Sequence, residues 1–232
     1  MTDPDRQTDP ASRLLDAALN HVAFDGWSEE TFRAACRDTG IAPAAARSLF
    51  PRGGIDLALA FHVRGDAEML RRLALEDLPT LRLRERIAMA VRLRIEATHD
   101  REAVRRGVAV FALPHHAGEG ARALWTTVDR IWTALGDQAS DINWYSKRAS
   151  LAGVYSTTLL YWLGDESEGN AQSWAFLDAR IDGVMRVGKL RARLTGNPLG
   201  RALLAGPNRL AGRIRRPGTS GEPLPGRWSS AG

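Results

Sequence analysis

Cysteine is nearly missing from this chain, and that scarcity removes whole classes of chemistry. Cys36 is the sole cysteine, which excludes an intramolecular disulfide and any multi-cysteine metal site and makes a reducing compartment the simpler reading. Long apolar runs are also missing. The longest stretch without charge, Ala149 to Gly164, carries Ser156, Thr157 and Thr158 and falls short of the roughly 20 apolar residues of a spanning helix. No glycine-rich phosphate loop, His-Glu-x-x-His sequence or Gly-x-Ser-x-Gly elbow occurs, so the signatures that usually announce catalysis are missing. His115 and His116 are adjacent, and neighbours on a helix point about 100° apart, so they cannot chelate one metal as an i, i+4 pair would. Cys36 lies in an apolar helical pattern with only Arg37 as a basic neighbour, which reads as a buried thiol rather than a nucleophile. The expectation is a protein that is not an enzyme and holds no metal or cofactor. The opening MTDPDRQTDPAS is polar, with three Asp, unlike a secretory signal or an acid-poor organellar presequence, so export is not expected.

Seven Trp stand against three Tyr, an unusual aromatic balance, within 44% hydrophobic and 25% charged residues, the proportions of a globular chain. The net charge of +5 hides an asymmetry. Residues 183–232 hold ten Lys or Arg against one acid, leaving 22 basic against 26 acidic residues in 1–182. An anionic partner is therefore expected to meet the tail and not the body.

Ala, Leu and Arg dominate, and apolar residues recur three and four apart, predicting an all-α protein. Leu14, Leu15, Ala18, Leu19 and Val22 line a first helix ending near Gly26, and Ser28 is placed to cap a second that ends at Gly40. Pro43 opens a short third helix through Phe50, and Pro51-Arg52-Gly53-Gly54 breaks the chain before a longer helix from Ile55 to about Leu78. Further stripes run through Leu83, Ile87, Val91 and Ile95; through Val104, Val108 and Phe111; through Ala121, Leu124, Val128, Ile131 and Leu135; through Tyr145, Arg148, Ala152, Tyr155, Leu159 and Trp162; and through Trp174, Leu177, Ile181 and Val184. Residues 1–11 and 217–232 are expected to be disordered.

The residues from Arg13 to His62 resemble the N-terminal domain of TetR-type regulators in helix lengths, glycine placement and the aromatic near the end of helix three. That resemblance implies a helix-turn-helix-like unit over 12–54 and a larger helical domain over 55–188. A recognition helix must offer polar side chains to bases and phosphates, yet Pro43 to Phe50 supplies little beyond Arg47 and Ser48. With an acidic body as well, no nucleic-acid partner is expected. A lipid-sensing transcriptional regulator of TetR type stands as the alternative.

The second half resembles the ubiquinone (coenzyme Q) biosynthesis protein nine family of mitochondria and their bacterial relatives. The resemblance rests on Leu113-Pro114-His115, on Val128-Asp129 with Trp132, on the run from Gly136 to Arg148, on Leu151 to Thr158, and on Trp174 to Ile181. It implies a TetR-like fold whose C-terminal-domain helices hold an isoprenoid or other lipid as ligand, presented to a di-iron demethoxyubiquinone hydroxylase. Matched residue by residue, it implies a docking patch at Asp129, Ile131, Asp141, Trp144, Tyr145 and Arg148. The lipid-pocket candidates are Phe111, Trp125, Val128, Trp132, Tyr155, Leu159 and Trp162, bulky residues on the apolar stripes of the same helices. A homodimer and a cytoplasmic location, peripheral on the inner membrane, are also implied.

Residues 189–216 interleave Lys and Arg with leucines. This basic amphipathic segment, too short to span, is expected to lie on membrane phospholipids through Leu199, Arg201, Leu203, Leu204, Arg209, Leu210, Arg213 and Ile214, each Arg contributing at most about 1 kcal/mol.

Overall fold

The computed structural model describes residues 9–137 and 142–196, and among these every regular element is helical. Local signals in the sequence set the first boundaries. Helix α1 (Pro10–Asp25) starts with proline at its first position, and the Asp9 carboxylate accepts hydrogen bonds from the N–H groups of Ala11 and Ser12; both features satisfy or remove donors that an open helix end leaves bare. Helix α2 (Glu29–Thr39) is capped by Ser28, whose hydroxyl accepts from the Thr31 N–H at 3.2 Å. It stops at Gly40, which takes the left-handed conformation at φ 67° that glycine adopts without steric cost. Helix α3 (Pro43–Leu49) ends with Phe50 buried behind it.

Helix α4 (Gly54–Leu73) begins against the cap of α2, so closely that a Cβ on Gly54 would stand 2.4 Å from the Ser28 carbonyl oxygen. Periodicity predicts α4 to continue to about Leu78, but it closes at Leu73 and a single 3₁₀ turn follows over Leu78–Thr80. Pro79 lies beyond that end, in the first turn of the 3₁₀ segment, where its missing N–H costs nothing. Then come α5 (Leu83–Glu96), α6 (Arg101–Phe111) capped by Asp100, α7 (Ala117–Ala134), α8 (Ile142–Leu163) and α9 (Ala171–Gly196). Asp165 fastens the α8–α9 turn by accepting from the N–H and hydroxyl of both Ser167 and Ser173. These bonds hold its carboxyl below the usual carboxylate range.

Two cores form. The first joins Leu14, Leu15, Ala18 and Val22 of α1 to Trp27, Phe32, Phe50 and Leu57. The second gathers Met69 and Leu73 of α4, Ile87, Val91 and Ile95 of α5, Val128, Ile131 and Trp132 of α7, Leu151 and Tyr155 of α8, and Leu177 and Ile181 of α9. Each fully buried aliphatic or aromatic side chain stabilises by roughly 1.5–3 kcal/mol relative to exposure. Helix α4 feeds both cores, so residues 54 and 55 mark no break in packing. Helix α6 ties the units together as well: Ala103 enters the first core and its carbonyl accepts from Trp27 Nε1 at 3.0 Å, while Arg106 donates to the Ala23 carbonyl at 2.8 Å.

Candidate functional site: an apolar cavity with one polar wall

Helices α4 to α8 surround a cavity of about 280 Å³, near the lower end of the ~300–1,000 Å³ common for ligand sites. Phe61, Val104, Val108, Phe111, Leu124 and Leu159 supply most of its apolar wall, and exposed Ala112 and Leu160 stand at its edge. Glycine helps shape it. A Cβ on Gly120 would meet Phe111 Cβ at 2.7 Å, so the close approach of α7 to α6 depends on hydrogen at that position.

One wall is polar and built from three helices. Asp66 of α4, wholly buried, accepts from Arg94 Nε at 2.5 Å, Arg130 Nη1 at 2.8 Å and the Thr127 hydroxyl at 2.9 Å. Arg94 Nη2 donates to the His62 carbonyl at 3.1 Å and lies 3.3 Å from His62 Nδ1, while His62 Nε2 stands 2.8 Å from the Thr127 hydroxyl. With Arg94 donating to Nδ1, the ring proton belongs on Nε2, facing Thr127. Burial, and then the positive Arg94, push His62 down to about 4, so it is neutral at pH 7. Gly65 makes space for the guanidinium: a Cβ there would stand 2.7 Å from Arg94 Nη1. A buried charge is costly unless paired and hydrogen-bonded, and Asp66 supplies the pairing.

The pocket candidates divide. Phe111, Tyr155 and Leu159 line the cavity. Val128, Trp132 and Trp162 are buried in the second core and do not line this cavity. Trp125 also leaves the cavity, standing 5.9 Å from the Trp144 ring and 6.3 Å from that of Tyr145. Sequence reasoning missed His62, Asp66, Arg94 and Thr127. The available signal was the His62–Asp66 spacing of four, with Arg94 four residues after Ala90 on the buried side of α5.

Of the implied docking residues, Asp129, Trp144, Tyr145 and Arg148 do meet where α7 crosses α8. Arg148, 1% exposed, donates to Asp129 at 2.7 Å, Asp137 at 3.1 Å and the Trp144 carbonyl at 3.3 Å, with its guanidinium 4.1 Å from the centre of the Trp144 ring. Trp144 and Tyr145 stack edge to face at 4.7 Å. Trp144 is buried and Tyr145 half-buried. Ile131 does not join them; it is 0% exposed within the second core. Asp141 and the tail residues Leu199, Arg201, Leu203, Leu204, Arg209, Leu210, Arg213 and Ile214 lie outside the described residues.

On α3, Pro43, Ala44, Ala45, Ser48 and Leu49 face outward. Arg47 turns inward, pairing with Glu29 and covering the Phe32 ring at 4.4 Å. Among the described residues, no group of three His, Cys, Asp or Glu is placed to hold a metal ion. No helix among them is long and apolar enough to cross a membrane.

Comparison with known proteins agrees with this geometry. The COQ9 family model matches residues 117–188, the span of α7, α8 and much of α9. The ubiquinone biosynthesis protein COQ9 of Homo sapiens is 32% identical, the match covering 83% of this chain and 63% of that protein. That of Drosophila melanogaster is 31% identical over 80% of this chain and 58% of its own. The chain thus spans about three-fifths of the length of these relatives. Among solved structures, a TetR transcriptional regulator from Nitrosomonas europaea superposes with a TM-score of 0.62, covering 78% of this chain and 97% of that one at 21% identity, a likeness of fold alone. Residues 117–188 of this chain match the COQ9 family model, on a TetR-like all-helical fold, and most of the sequence is similar to the COQ9 proteins of ubiquinone biosynthesis.

Proposed function

We propose that this protein is a non-catalytic accessory factor of ubiquinone biosynthesis that takes an isoprenoid quinone precursor into the α4–α8 cavity and presents it to a di-iron hydroxylase. The observation that carries the reading is that COQ9-domain residues, among them Gly120, Leu124, Tyr155 and Leu159, form one side of the apolar cavity. The physical need is plain: a polyprenyl chain strongly resists water, so an enzyme outside the bilayer requires an apolar conduit. The hydroxylase docks at the α7–α8 crossing, where half-buried Tyr145 and partly exposed Asp129 offer an aromatic and an acidic contact beside the rigid Arg148 network. The basic tail binds anionic phospholipid and holds the protein at the membrane. DNA reading is disfavoured because the outward face of α3 is alanine, serine and leucine and its one arginine is spent on Glu29.

Deleting the gene in its own host tests the proposal. Ubiquinone falls and its demethoxy precursor accumulates, the wild-type gene reverses both changes, and a Tyr145→Ala variant reverses neither while folding normally. Unchanged quinone levels in the deletion would overturn the reading.

A further inference from the structure

We propose that the Arg94 guanidinium and the Tyr155 hydroxyl form a headgroup subsite at the polar wall of the cavity, recognising the acceptor oxygen of an apolar-chain ligand: a quinone carbonyl or a carboxylate. The inference rests on the lipid-pocket reading above and specifies which end of the ligand meets which wall.

Five side chains with polar atoms line the cavity: His62, Arg94, Thr98, Tyr155 and Ser156. Two are already committed. The Thr98 hydroxyl donates to the Ile95 carbonyl at 2.7 Å, and both His62 nitrogens are engaged, with Arg94 and Thr127. Arg94 spends Nε on Asp66 and Nη2 on His62, but among the described residues Nη1 donates to nothing. Arg94 is 2% exposed and Tyr155 3% exposed, and the Tyr155 hydroxyl likewise makes no hydrogen bond among the described residues. The Arg94 guanidinium is 5.9 Å from the centre of the Tyr155 ring, and both residues line the same cavity. A ligand oxygen at this end of the cavity would accept from donors that the protein leaves uncommitted.

Charge selects the head further. Asp66 carries one negative charge between two arginines, Arg94 and Arg130, which leaves the cluster net positive. Burial pushes the Tyr155 hydroxyl up from its ordinary value, so it remains a protonated donor at neutral pH. Two donors beside excess positive charge favour a carbonyl or carboxylate oxygen and reject an ammonium head. Ser156, both donor and acceptor, adds no preference of sign. The remaining wall, Phe61, Val108, Phe111, Leu124 and Leu159, then receives the chain.

The test uses the full chain and matched probes. A fluorescent apolar dye is loaded into the protein and displaced by decyl-benzoquinone or decylbenzene, and separately by dodecanoate or dodecane, in wild type, Tyr155→Phe and Arg94→Gln. The expected result is that at least one oxygen-headed probe outcompetes its headless counterpart about tenfold, and that Tyr155→Phe, which removes a single hydroxyl, erases most of that margin. Which pair shows the larger margin identifies the oxygen as quinone or carboxylate. Should Arg94→Gln fail to fold, Tyr155→Phe alone decides. Equal displacement within both pairs, or a margin untouched by Tyr155→Phe, would overturn the subsite while leaving the cavity as a lipid site. If the dye is not held and none of the four probes binds, the lipid-pocket reading fails too.

Discussion

His62 shows how a single side chain registers the packing around it. Its imidazole is enclosed beside Arg94 and is pushed down from 6.5 to about 4, so the unfolded chain takes up a proton more readily than the folded one between those values. The sign follows. The contribution of neutral His62 is fully present above about pH 6.5 and is lost as pH falls toward 4, on the order of 3 kcal/mol in all. Urea unfolding at pH 7 and pH 4.5 checks this: the wild type loses that stability at the lower pH, and His62→Gln flattens the limb. At Gly65 the expected cost is steric. A Cβ 2.7 Å from Arg94 Nη1 displaces a guanidinium pinned by Asp66 and His62, so Gly65→Ala destabilises by about 1–3 kcal/mol by thermal melting. The subsite proposal adds that this variant also narrows the preference for oxygen-headed probes.

At the scale of elements, the α7–α8 crossing combines rigidity with little surface. Trp144 is buried beneath Arg148 and stacked with Tyr145, so Trp144→Ala costs about 3–5 kcal/mol in stability. Any partner lost with that variant could be lost through unfolding. Tyr145→Ala is the cleaner probe, expected to weaken hydroxylase capture in a pull-down while its melting temperature stays near that of the wild type. Much of the element scale was legible in the sequence. Ser28, Gly40 and Pro43 act locally, through caps, a left-handed residue and a fixed φ, and each marks its boundary in the structure. What lay hidden depends on contacts distant in sequence. Nothing near Val128, Trp132 or Trp162 distinguishes a core stripe from a pocket wall, because that depends on which helix lies opposite. The pairing of Arg94 has no local signal either, since its partner Asp66 lies 28 residues away and Arg130 reaches that carboxylate from 64 away.

For the whole molecule, the fold is TetR-like, and α3, the third helix of its helix-turn-helix-like unit, carries little chemistry for reading DNA. Its outward side chains are small or apolar, and the body of the chain is acidic. Protein lacking residues 189–232 is expected to bind duplex DNA no better than an inert control in a titration at low salt, and the same truncation is expected to abolish sedimentation with anionic vesicles. Both follow from placing the excess positive charge in the tail. The central claim is that the α4–α8 cavity holds a lipid, and filling it is the direct challenge. Ala123 lines the cavity on α7, and Ala123→Phe puts an aromatic ring into that space. The decisive measurement is native mass spectrometry with lipid extraction on wild type and Ala123→Phe purified from the protein's own host. A cavity that holds lipid gives a co-purifying isoprenoid quinone or related lipid on the wild type and its loss from a folded Ala123→Phe; a wild type without lipid, or a variant carrying the same lipid in the same amount, would show that it does not.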